Sequence, residues 1–234
     1  MDRLKVAVVI PTLNNETTSA VIKDAREHGY EVIVVDDGSN PSMESRLTCD
    51  EKTHIVTHPQ NLGKGAALVN GAKKAKELGY SYFVCMDADG QHLASEIYKL
   101  TNALNFGDDV IVIGARNFNI ANVPNGSKIG RKISNFWATL NTSHNITDSL
   151  SGFRLYPVSI LELPTKTTRF DWEMEVIVRH AWKRRKIKEV VVECYYPHAN
   201  ERVSHFKKWK DTASIVWLHV KLLPQRVFLL KGFV

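Results

Sequence analysis

Apolar runs separated by helical segments are the sequence feature that most restricts how this chain can fold. Five runs rich in valine and isoleucine occupy Val6–Ile10, Val32–Val35, Ile55–Thr57, Tyr82–Met86 and Val110–Ile113. Most intervals between them have helical composition, at Glu16–His28, Gly65–Leu78 and Ala94–Asn105. Strands that are apolar on both faces and alternate with helices are typical of a parallel sheet covered on both sides. We therefore predict an α/β fold with a mostly parallel sheet flanked by helices.

Polar and glycine-containing segments follow these strands. The first, second, fourth and fifth runs continue into "PTLNNE", "DDGSN", "DADGQH" and "GARN", and "NLGKGAAL" opens a helix after the third. Open parallel sheets bind ligands outside the carboxyl ends of their strands. The sequence therefore predicts one binding site at this edge of the sheet.

Two acidic pairs lie at that edge: Asp36 with Asp37, and Asp87 with Asp89. Like charges this close repel each other unless a cation or water separates them. Carboxylate oxygens suit a hard divalent ion such as Mg²⁺ or Mn²⁺, so Asp87, Asp89 and Gln91 are candidate metal ligands. The alternative is that each pair is a solvated turn that caps a helix. Two pairs at the same edge favour the metal site.

The "NLGKGAAL" segment places Lys64 between two glycines at a helix start. Free backbone N–H groups and the positive end of the helix favour an anion there. The pattern is not a P-loop, and no GxGxxG follows the first strand, so a dinucleotide cofactor is not expected.

The whole-chain composition bounds the class of partner. The 234 residues are 44% hydrophobic and 24% charged, values typical of a soluble globular protein, and carry a formal net charge of +6. A positive charge favours a partner with negative charge, and nucleic acid, anionic lipid and a phosphorylated small molecule all remain open. The three cysteines are widely spaced, which favours a reducing compartment. No apolar run approaches the ~18 residues of a membrane span.

The second half of the chain is less regular. We interpret residues 117–134 as a long polar loop and "DSLSGFRLYP" as turn-like. A helix from Trp172 to about Arg185 and a strand in "IKEVVVECYY" follow. The tail alternates apolar and basic residues and is predicted to be amphipathic. We divide the chain into a domain of residues 1–202 and a C-terminal basic, amphipathic segment of residues 203–234.

Five motifs carry a family resemblance. "VVIPTLNNE", "IVVDDGSN", "NLGKGAAL", "MDADGQH" and "DSLSGFRLYP" occur in the order found in family-2 glycosyltransferases of the GT-A fold, a Rossmann-like α/β architecture. The chain most resembles the dolichol-phosphate mannosyltransferase and polyprenyl-phosphate glycosyltransferase branch, in a bacterial subgroup. The resemblance implies an inverting transfer of a sugar from a UDP- or GDP-linked donor to a lipid-linked acceptor, most simply a polyprenyl phosphate.

The resemblance also implies roles for individual residues. The donor nucleotide sugar would be bound by Pro11, Thr12, Glu16, Asp37, Gly38, Ser39, Lys64, Asp87, Ala88 and Asp89. The divalent cation, Mg²⁺ or Mn²⁺, would be held by Asp89, Gln91 and Asp87. The acceptor phosphate would be bound by Arg131, Ser134 and Arg202. Asp148 and Glu175 are the candidate catalytic residues.

Three departures from the family pattern concern the choice of nucleotide base and acceptor. Leu13 replaces a common tyrosine, Asn15 is an extra residue before the glutamate, and "DWEME" does not match Phe-Glu-x-Glu cleanly.

The acceptor decides whether a general base is needed. A phosphate monoester is already an anion near pH 7 because its second pKa is about 6, whereas an alcohol needs a base, with Asp148 the first candidate and Glu175 the second.

Alternatives of other kinds stay open at this point. A family member acting on a non-phosphate lipid or a soluble hydroxyl acceptor is one. A nucleotidyltransferase is another, although such enzymes normally carry a glycine- and arginine-rich first loop. A basic nucleic-acid-binding module leaves the paired aspartates without a purpose, so no nucleic-acid partner is predicted. We expect a cytoplasmic protein, peripheral on an anionic membrane surface at the inner face of the cell membrane.

Overall fold

The computed structural model describes residues 5–48, 50–105, 107–116, 125–195 and 208–230. Helical residues 125–129, 208–212 and 228–230 are described by their backbone alone. Within these ranges the strands are β1 Val6–Thr12, β2 Glu31–Asp36, β3 Thr53–Thr57, β4 Tyr82–Cys85, β5 Val110–Arg116, β6 Arg154–Pro157 and β7 Lys186–Val192. The helices are α1 Thr18–Glu27, α2 Lys64–Glu77, α3 Ile97–Asn102, α4 Asn125–Thr142, α5 Trp172–Trp182 and α6 Lys208–Leu230.

The described strands form one seven-stranded sheet with the order β3-β2-β1-β4-β6-β5-β7. The β1–β2, β1–β4, β2–β3 and β5–β7 pairs are parallel, and β6 runs antiparallel to both β4 and β5. The predicted α/β class and mostly parallel sheet are therefore confirmed, together with the five strand positions of the first half.

Alternate residues of each strand enter two separate cores. In β1, Ala7 and Val9 join one core and Val8 and Ile10 the other, as the twofold period of a strand requires. The first core also contains apolar residues of α2, α4, α5 and α6, and the second contains those of α1 and α3. Helices thus cover both faces of the sheet, which explains the apolar runs of β1, β2, β4 and β5.

Two elements differ from the sequence prediction. Residues 125–134, interpreted as loop, form the first half of α4, which packs against α5 and α6. The apparently turn-like segment contains β6, whose four residues are all buried. The prediction was wrong because the polar start of α4 and an arginine within β6 conceal elements that tertiary contacts stabilise.

The tail forms α6, and one side of it belongs to the first core through Ile215, Leu218 and Leu222. His219 is also buried and its Nδ1 lies 3.1 Å from Nδ2 of Asn141 on α4. Among the helices described, none is long and apolar enough to cross a membrane. The division at residue 203 stays a prediction.

Candidate active site

A three-residue ion-pair cluster stands at the carboxyl edge of the sheet. Lys64, the first residue of α2, places Nζ 2.6 Å from Oδ1 of Asp87 and 3.0 Å from Oε2 of Glu173. Asp87 follows β4 and Glu173 lies in the first turn of α5. Burial alone would lower the pKa of Lys64, but the charges of Asp87 and Glu173 hold it well above its usual value. A permanent cation therefore stands where the sequence predicts anion binding.

The two aspartates of "DADGQH" differ in their electrostatics. Burial would raise the pKa of Asp87, but the Lys64 charge, together with smaller effects of neighbouring cations and the hydrogen bond from Lys64, outweighs it and lowers that pKa to about 2. Burial, followed by the Asp87 charge, raises the pKa of Asp89 to about 6. Both carboxylates repel each other in a partly desolvated place, and this repulsion is what a divalent cation relieves.

Gln91 is in contact with Asp89, and the role of both residues as metal ligands stays a prediction. Its backbone N–H donates to Oδ1 of Asp89 at 3.0 Å, and its side-chain amide donates to Oδ2 at 2.9 Å. The described residues contain no group of three or more His, Cys, Asp or Glu side chains arranged to hold a metal. Two carboxylates with an amide nearby fit a hard ion that takes its remaining oxygen ligands from substrate.

His92 is buried under the loop of Asp87 and Asp89 and contacts its backbone. The backbone N–H of Asp87 donates to its Nδ1 at 3.2 Å, and the ring stacks on Phe153 at 5.0 Å between centroids. Burial lowers the pKa of His92 to about 4, so the ring is neutral and its Nδ1 remains an acceptor. His92 therefore positions Asp87 and does not act as a cation.

The loop before β6 reaches the ion-pair cluster from the other side. A Cβ on Gly152 would lie 2.4 Å from Oδ2 of Asp87 and 2.9 Å from Nζ of Lys64, so only glycine leaves the pair in place. Arg154, 1% exposed, donates to the carbonyl oxygens of Ser149, Ser151 and Glu173 at 2.6–2.7 Å. One buried arginine thus joins the glycine loop to the start of α5.

Asp37 organises the loop that leads into Lys64. Its Oδ1 accepts from His58 Nδ1 and from the Leu62 N–H, each at 2.8 Å, and its Oδ2 accepts from the Gly63 N–H at 2.9 Å. Gly63 has φ +103°, and a Cβ on it would meet the Thr168 carbonyl oxygen at 2.5 Å. Asp37 therefore fixes the start of α2, and its predicted contact with the nucleotide stays a prediction.

The remaining donor-site candidates gather around the ends of β1 and β2. Ser39 Oγ accepts from the Asn14 N–H at 2.8 Å, and the Asn14 side chain accepts from the Asn40 N–H at the same distance. The Thr17 hydroxyl donates to the carbonyl oxygen of Ala88, which ties the first loop to the aspartate loop. The candidates of this group are Pro11 and Thr12 at the end of β1, the exposed Glu16, and Gly38, whose φ is +84°.

Asp148 is fully buried and engaged by Arg116 at the end of β5. The arginine donates from Nε and its backbone N–H to Oδ2 at 2.8 and 3.0 Å, and from Nη2 to Oδ1 at 2.9 Å. This bidentate pair holds the guanidinium close to the site. From there the Arg116 charge acts to lower the pKa values of Asp87 and Asp89. The geometry favours positioning over proton transfer for Asp148, and its catalytic role stays a prediction.

Glu175 faces away from the ion-pair cluster. Its Oε1 accepts from Arg179 Nε at 2.6 Å, and its Oε2 accepts from the backbone N–H groups of Lys166 and Thr167 at 2.8 Å each and from the Thr167 hydroxyl at 2.9 Å. Burial would raise the pKa of Glu175, but these donors lower it below the usual value. The structure brings Glu173, and not Glu175, to Lys64 and Asp87.

Two of the three acceptor candidates lie on α4. Ser134 is buried with Oγ 3.0 Å from Oγ of Ser149, and Arg131 lies one turn earlier and is half-buried. Ser149 also donates from N and Oγ to the Asn135 side chain at 2.9 and 2.7 Å. These contacts bring α4 to the loop of Gly152. Arg202 lies outside the described residues.

Sequence reasoning missed Glu173, Arg154 and Arg116. Each lies within a quoted motif, but only the fold shows which way it points. A useful signal was available for Arg154, since a lone arginine in an otherwise apolar run requires acceptors inside the protein.

The comparisons with known proteins decide the family. The model of the family described as "Glycosyl transferase family 2" matches residues 7–163, which contain the Lys64, Asp87, Asp148 and Gly152 loops. The chain belongs to this family.

Relatives of this family 2 glycosyl transferase include a UDP-N-acetylglucosamine–dolichyl-phosphate N-acetylglucosaminyltransferase from Methanococcus voltae. It is 29% identical over an alignment of 215 residues, and the match covers 82% of this chain and 86% of the relative. A polyprenol monophosphomannose synthase from Mycolicibacterium smegmatis is 30% identical over an alignment of 169 residues, and the match covers 68% of this chain and 63% of the relative.

Solved structures confirm the GT-A fold of this family 2 glycosyl transferase. Glucosyl-3-phosphoglycerate synthase from Mycobacterium tuberculosis, in complex with phosphoglyceric acid, aligns with a TM-score of 0.66 at 16% identity, covering 93% of this chain and 79% of that chain. The same enzyme was solved with Mn²⁺, UDP and glucosyl-3-phosphoglycerate, at a TM-score of 0.61 and 16% identity, with 95% of this chain and 79% of that chain covered.

Proposed function

We propose that this glycosyl transferase moves a sugar from a nucleotide sugar to a polyprenyl-phosphate-type lipid. The observation that carries the proposal is the Lys64–Asp87–Glu173 cluster. It lies close to Asp89 and packs against the Gly152 loop. A cation next to paired carboxylates suits a diphosphate that is bound together with a divalent ion. The names of the relatives, one with dolichyl phosphate and one with polyprenol monophosphomannose, support the lipid class.

The donor diphosphate is proposed to bind between Lys64 and the "DADGQH" loop. Asp89, Asp87 and Gln91 would hold Mg²⁺ or Mn²⁺, and this ion supplies positive charge that stabilises the departing diphosphate. Lys64 adds a second positive charge already in place, so that it requires no reorganisation when the bond breaks. The nucleotide, UDP- or GDP-linked, is proposed to extend toward the loops after β1 and β2.

The acceptor is proposed to arrive from the α4 side. Arg131 and Ser134, with Arg202 from outside the described residues, would bind its phosphate, and Arg116 adds charge at the end of β5. A groove of about 420 Å³ lies on α4 next to this place, and Phe136, Leu140 and Ile146 give it apolar walls. An apolar groove beside cationic side chains suits a prenyl chain that ends in a phosphate.

The proposed reaction is a single displacement with inversion. An oxygen of the acceptor phosphate forms the new bond to the anomeric carbon, and the electron pair of the broken bond leaves with the nucleoside diphosphate. A phosphate monoester is an anion near neutral pH and needs no general base. Asp148 therefore acts by holding Arg116, and Glu175 by holding residues 166–167 and Arg179.

We also propose that the protein is peripheral on the inner face of the cell membrane. The packed helices α4 and α6 expose large apolar side chains, Phe136 at 61% and Trp217 at 59%. Lys221 Nζ lies 5.3 Å from the centre of the Trp217 ring. An aromatic side chain next to a lysine suits the boundary between anionic headgroups and acyl chains.

Transfer assays with matched acceptors test the proposal. Detergent-solubilised polyprenyl phosphate and the corresponding polyprenol are offered with UDP- and GDP-linked hexoses in the presence of Mn²⁺. Sugar transfer to the phosphate and none to the alcohol is expected. Transfer to the alcohol alone, or no transfer from any donor, contradicts the proposal.

A pair of variants tests the donor site. Asp89→Asn is expected to lower the transfer rate by ~100-fold or more, since it removes a ligand and a charge next to the diphosphate. Asp50→Asn, a matched change at an exposed position before β3, serves as the control. Full activity of Asp89→Asn would remove this residue from the site.

A further inference from the structure

The two carboxylate oxygens of Glu173 have different surroundings. Oε2 lies 3.0 Å from Nζ of Lys64. Oε1 is buried and has no hydrogen-bond partner among the residues that the structure describes. The side chain as a whole is only 10% exposed. Buried acceptors are normally satisfied, and an unsatisfied one at a site often marks the place of a ligand donor.

The position of Glu173 is fixed by its neighbours, so rotation of α5 does not explain the unsatisfied oxygen. Its carbonyl oxygen accepts from Nη1 of the buried Arg154 at 2.6 Å. The preceding Trp172 is 1% exposed and packs closely against Gly65. A Cβ added to Gly65 would lie 2.3 Å from Cβ of Trp172. Oε2 is held by Lys64. The carboxylate is thus anchored through both its backbone and one of its oxygens.

We infer that Oε1 of Glu173 accepts a hydrogen bond from a hydroxyl group of the sugar that is transferred, and that Glu173 determines which sugar is accepted. The inference rests on the proposed function. A carboxylate repels the diphosphate and attracts hydroxyl donors. Along the sheet, Glu173 lies on the side of β6, through Arg154, whereas the nucleotide loops follow β1 and β2. This places it at the sugar end of the donor.

A comparison of two ligands separates this role from a structural one. Nucleoside diphosphates, UDP and GDP, and the corresponding UDP- and GDP-linked hexoses are titrated into the wild-type protein and Glu173→Gln with Mn²⁺. The glutamine can present its carbonyl oxygen to Lys64, which leaves an amide donor in place of Oε1. The affinity for the diphosphate is expected to stay within about threefold, while the affinity for the nucleotide sugar falls by about tenfold or more.

Glu77→Gln is the matched control, since Glu77 lies at the exposed end of α2, and it is expected to change neither affinity. Equal losses for the diphosphate and the nucleotide sugar in Glu173→Gln overturn the inference, because they indicate that Glu173 only holds Lys64 or contacts the ribose. Absence of binding by every nucleotide sugar to the wild-type protein contradicts the proposed function itself.

Deoxy donors test the inference in the wild-type protein, independently of how the variant folds. Nucleotide sugars that lack one hydroxyl at a time are compared with the parent donor. One of them is expected to bind about tenfold more weakly, because a site built to hydrogen-bond a hydroxyl rejects the analogue that lacks it. In Glu173→Gln that difference disappears. Equal binding of every deoxy donor to the wild-type protein overturns the inference.

Discussion

Gly152 shows how little space remains around the Lys64–Asp87 pair. A Cβ there would approach the ends of both side chains, at 2.4 and 2.9 Å, and no backbone atom is among these nearest contacts. The ends of side chains can move without changing the fold. A larger residue at this position therefore displaces the charged groups of the site and leaves the sheet intact.

Gly152→Ala is accordingly expected to weaken nucleotide-sugar binding by about tenfold or more, since it separates Lys64 from Asp87. The melting temperature should change by only a few degrees. Calorimetric titration and thermal unfolding measure the two effects. Gly130→Ala is the control, because a Cβ at Gly130 meets no atom within 4 Å. Unchanged binding by Gly152→Ala would show that the pair tolerates displacement.

The raised pKa of Asp89, about 6, predicts a pH dependence of metal binding. Only the carboxylate form binds a cation, so Mn²⁺ affinity should be constant above about pH 7 and fall about tenfold per pH unit below about pH 6. The titration uses a nucleotide sugar, because a terminal phosphate would itself titrate near 6. Asp89→Asn should bind Mn²⁺ weakly without this slope, and a slope that persists in the variant would assign it to another group.

In the absence of metal, the pKa shifts of Asp89 and Asp87 make the free energy of unfolding depend on pH in opposite directions. The folded pKa of Asp89 lies above its unfolded value of 3.8, so its contribution to the free energy of unfolding decreases as pH rises from about 4 to 6. The folded pKa of Asp87 lies below 3.8, so its contribution is lost as pH falls toward 2. The two aspartates of one motif therefore respond to pH in opposite directions.

At the scale of single elements, α5 shows what the sequence determines and what it leaves open. The helix itself is predictable from its composition. Glu173 and Glu175 are two residues apart, about 200° around a helix, so they point to opposite sides. Nothing in the sequence shows which side faces the site, and the family resemblance implies a catalytic role for Glu175. Its contacts with residues 166–167 and Arg179 hold Glu175 within the protein, and its catalytic role stays a prediction.

Glu175→Ala should therefore act mainly on stability. The change leaves Arg179 and two backbone N–H groups without their acceptor, which should lower the free energy of unfolding by about 3–5 kcal/mol. Denaturant unfolding measures this loss. Glu77→Ala, at an exposed position, should stay within about 0.5 kcal/mol of the wild-type protein. An unchanged stability combined with lost transfer would instead support a catalytic Glu175.

The elements found and missed differ in what stabilises them. Strands β1, β2, β4 and β5 were predictable because both of their faces are buried, which requires nearly continuous apolar runs, whereas β3 at the sheet edge is only half-buried. The helix α4 begins with Asn125, Gly126 and Ser127, residues of low helix propensity, and is stabilised by packing on α5 and α6. Strand β6 contains Arg154, whose acceptors are the carbonyl oxygens of the loop before the strand and of Glu173, 19 residues further along the chain. Such partners exist only in the folded chain.

At the scale of the whole molecule, α4 and α6 connect the core to an exposed apolar surface. One side of α6 carries Ile215, Leu218 and Leu222 into the core, and the other exposes Trp217 and Val220. The amphipathic tail predicted from the sequence thus packs on the core with one side and leaves the other side available for a membrane surface. Its membrane contact stays a proposal.

Phe136→Ser combined with Trp217→Ser is expected to lower the affinity for vesicles of phosphatidylcholine with phosphatidylglycerol by about tenfold or more, because the change removes two large side chains from the interface. Co-sedimentation measures binding. Tyr98→Ser is the control, since Tyr98 is an exposed aromatic residue on α3. Equal binding by the double variant and the control would show that the apolar surface does not contact lipid.

The antiparallel β6 also has a consequence for the order in which the molecule assembles during synthesis. Strands β4 and β5 do not pair with each other, and each requires β6 between them. A nascent chain that ends before residue 154 therefore leaves the two strands with open hydrophobic edges that can pair with other chains. The centre of the sheet closes only when β6 has been made and brings the Gly152 loop into place. A chain that aggregates or is cut before that moment has not yet formed the sugar-transfer site.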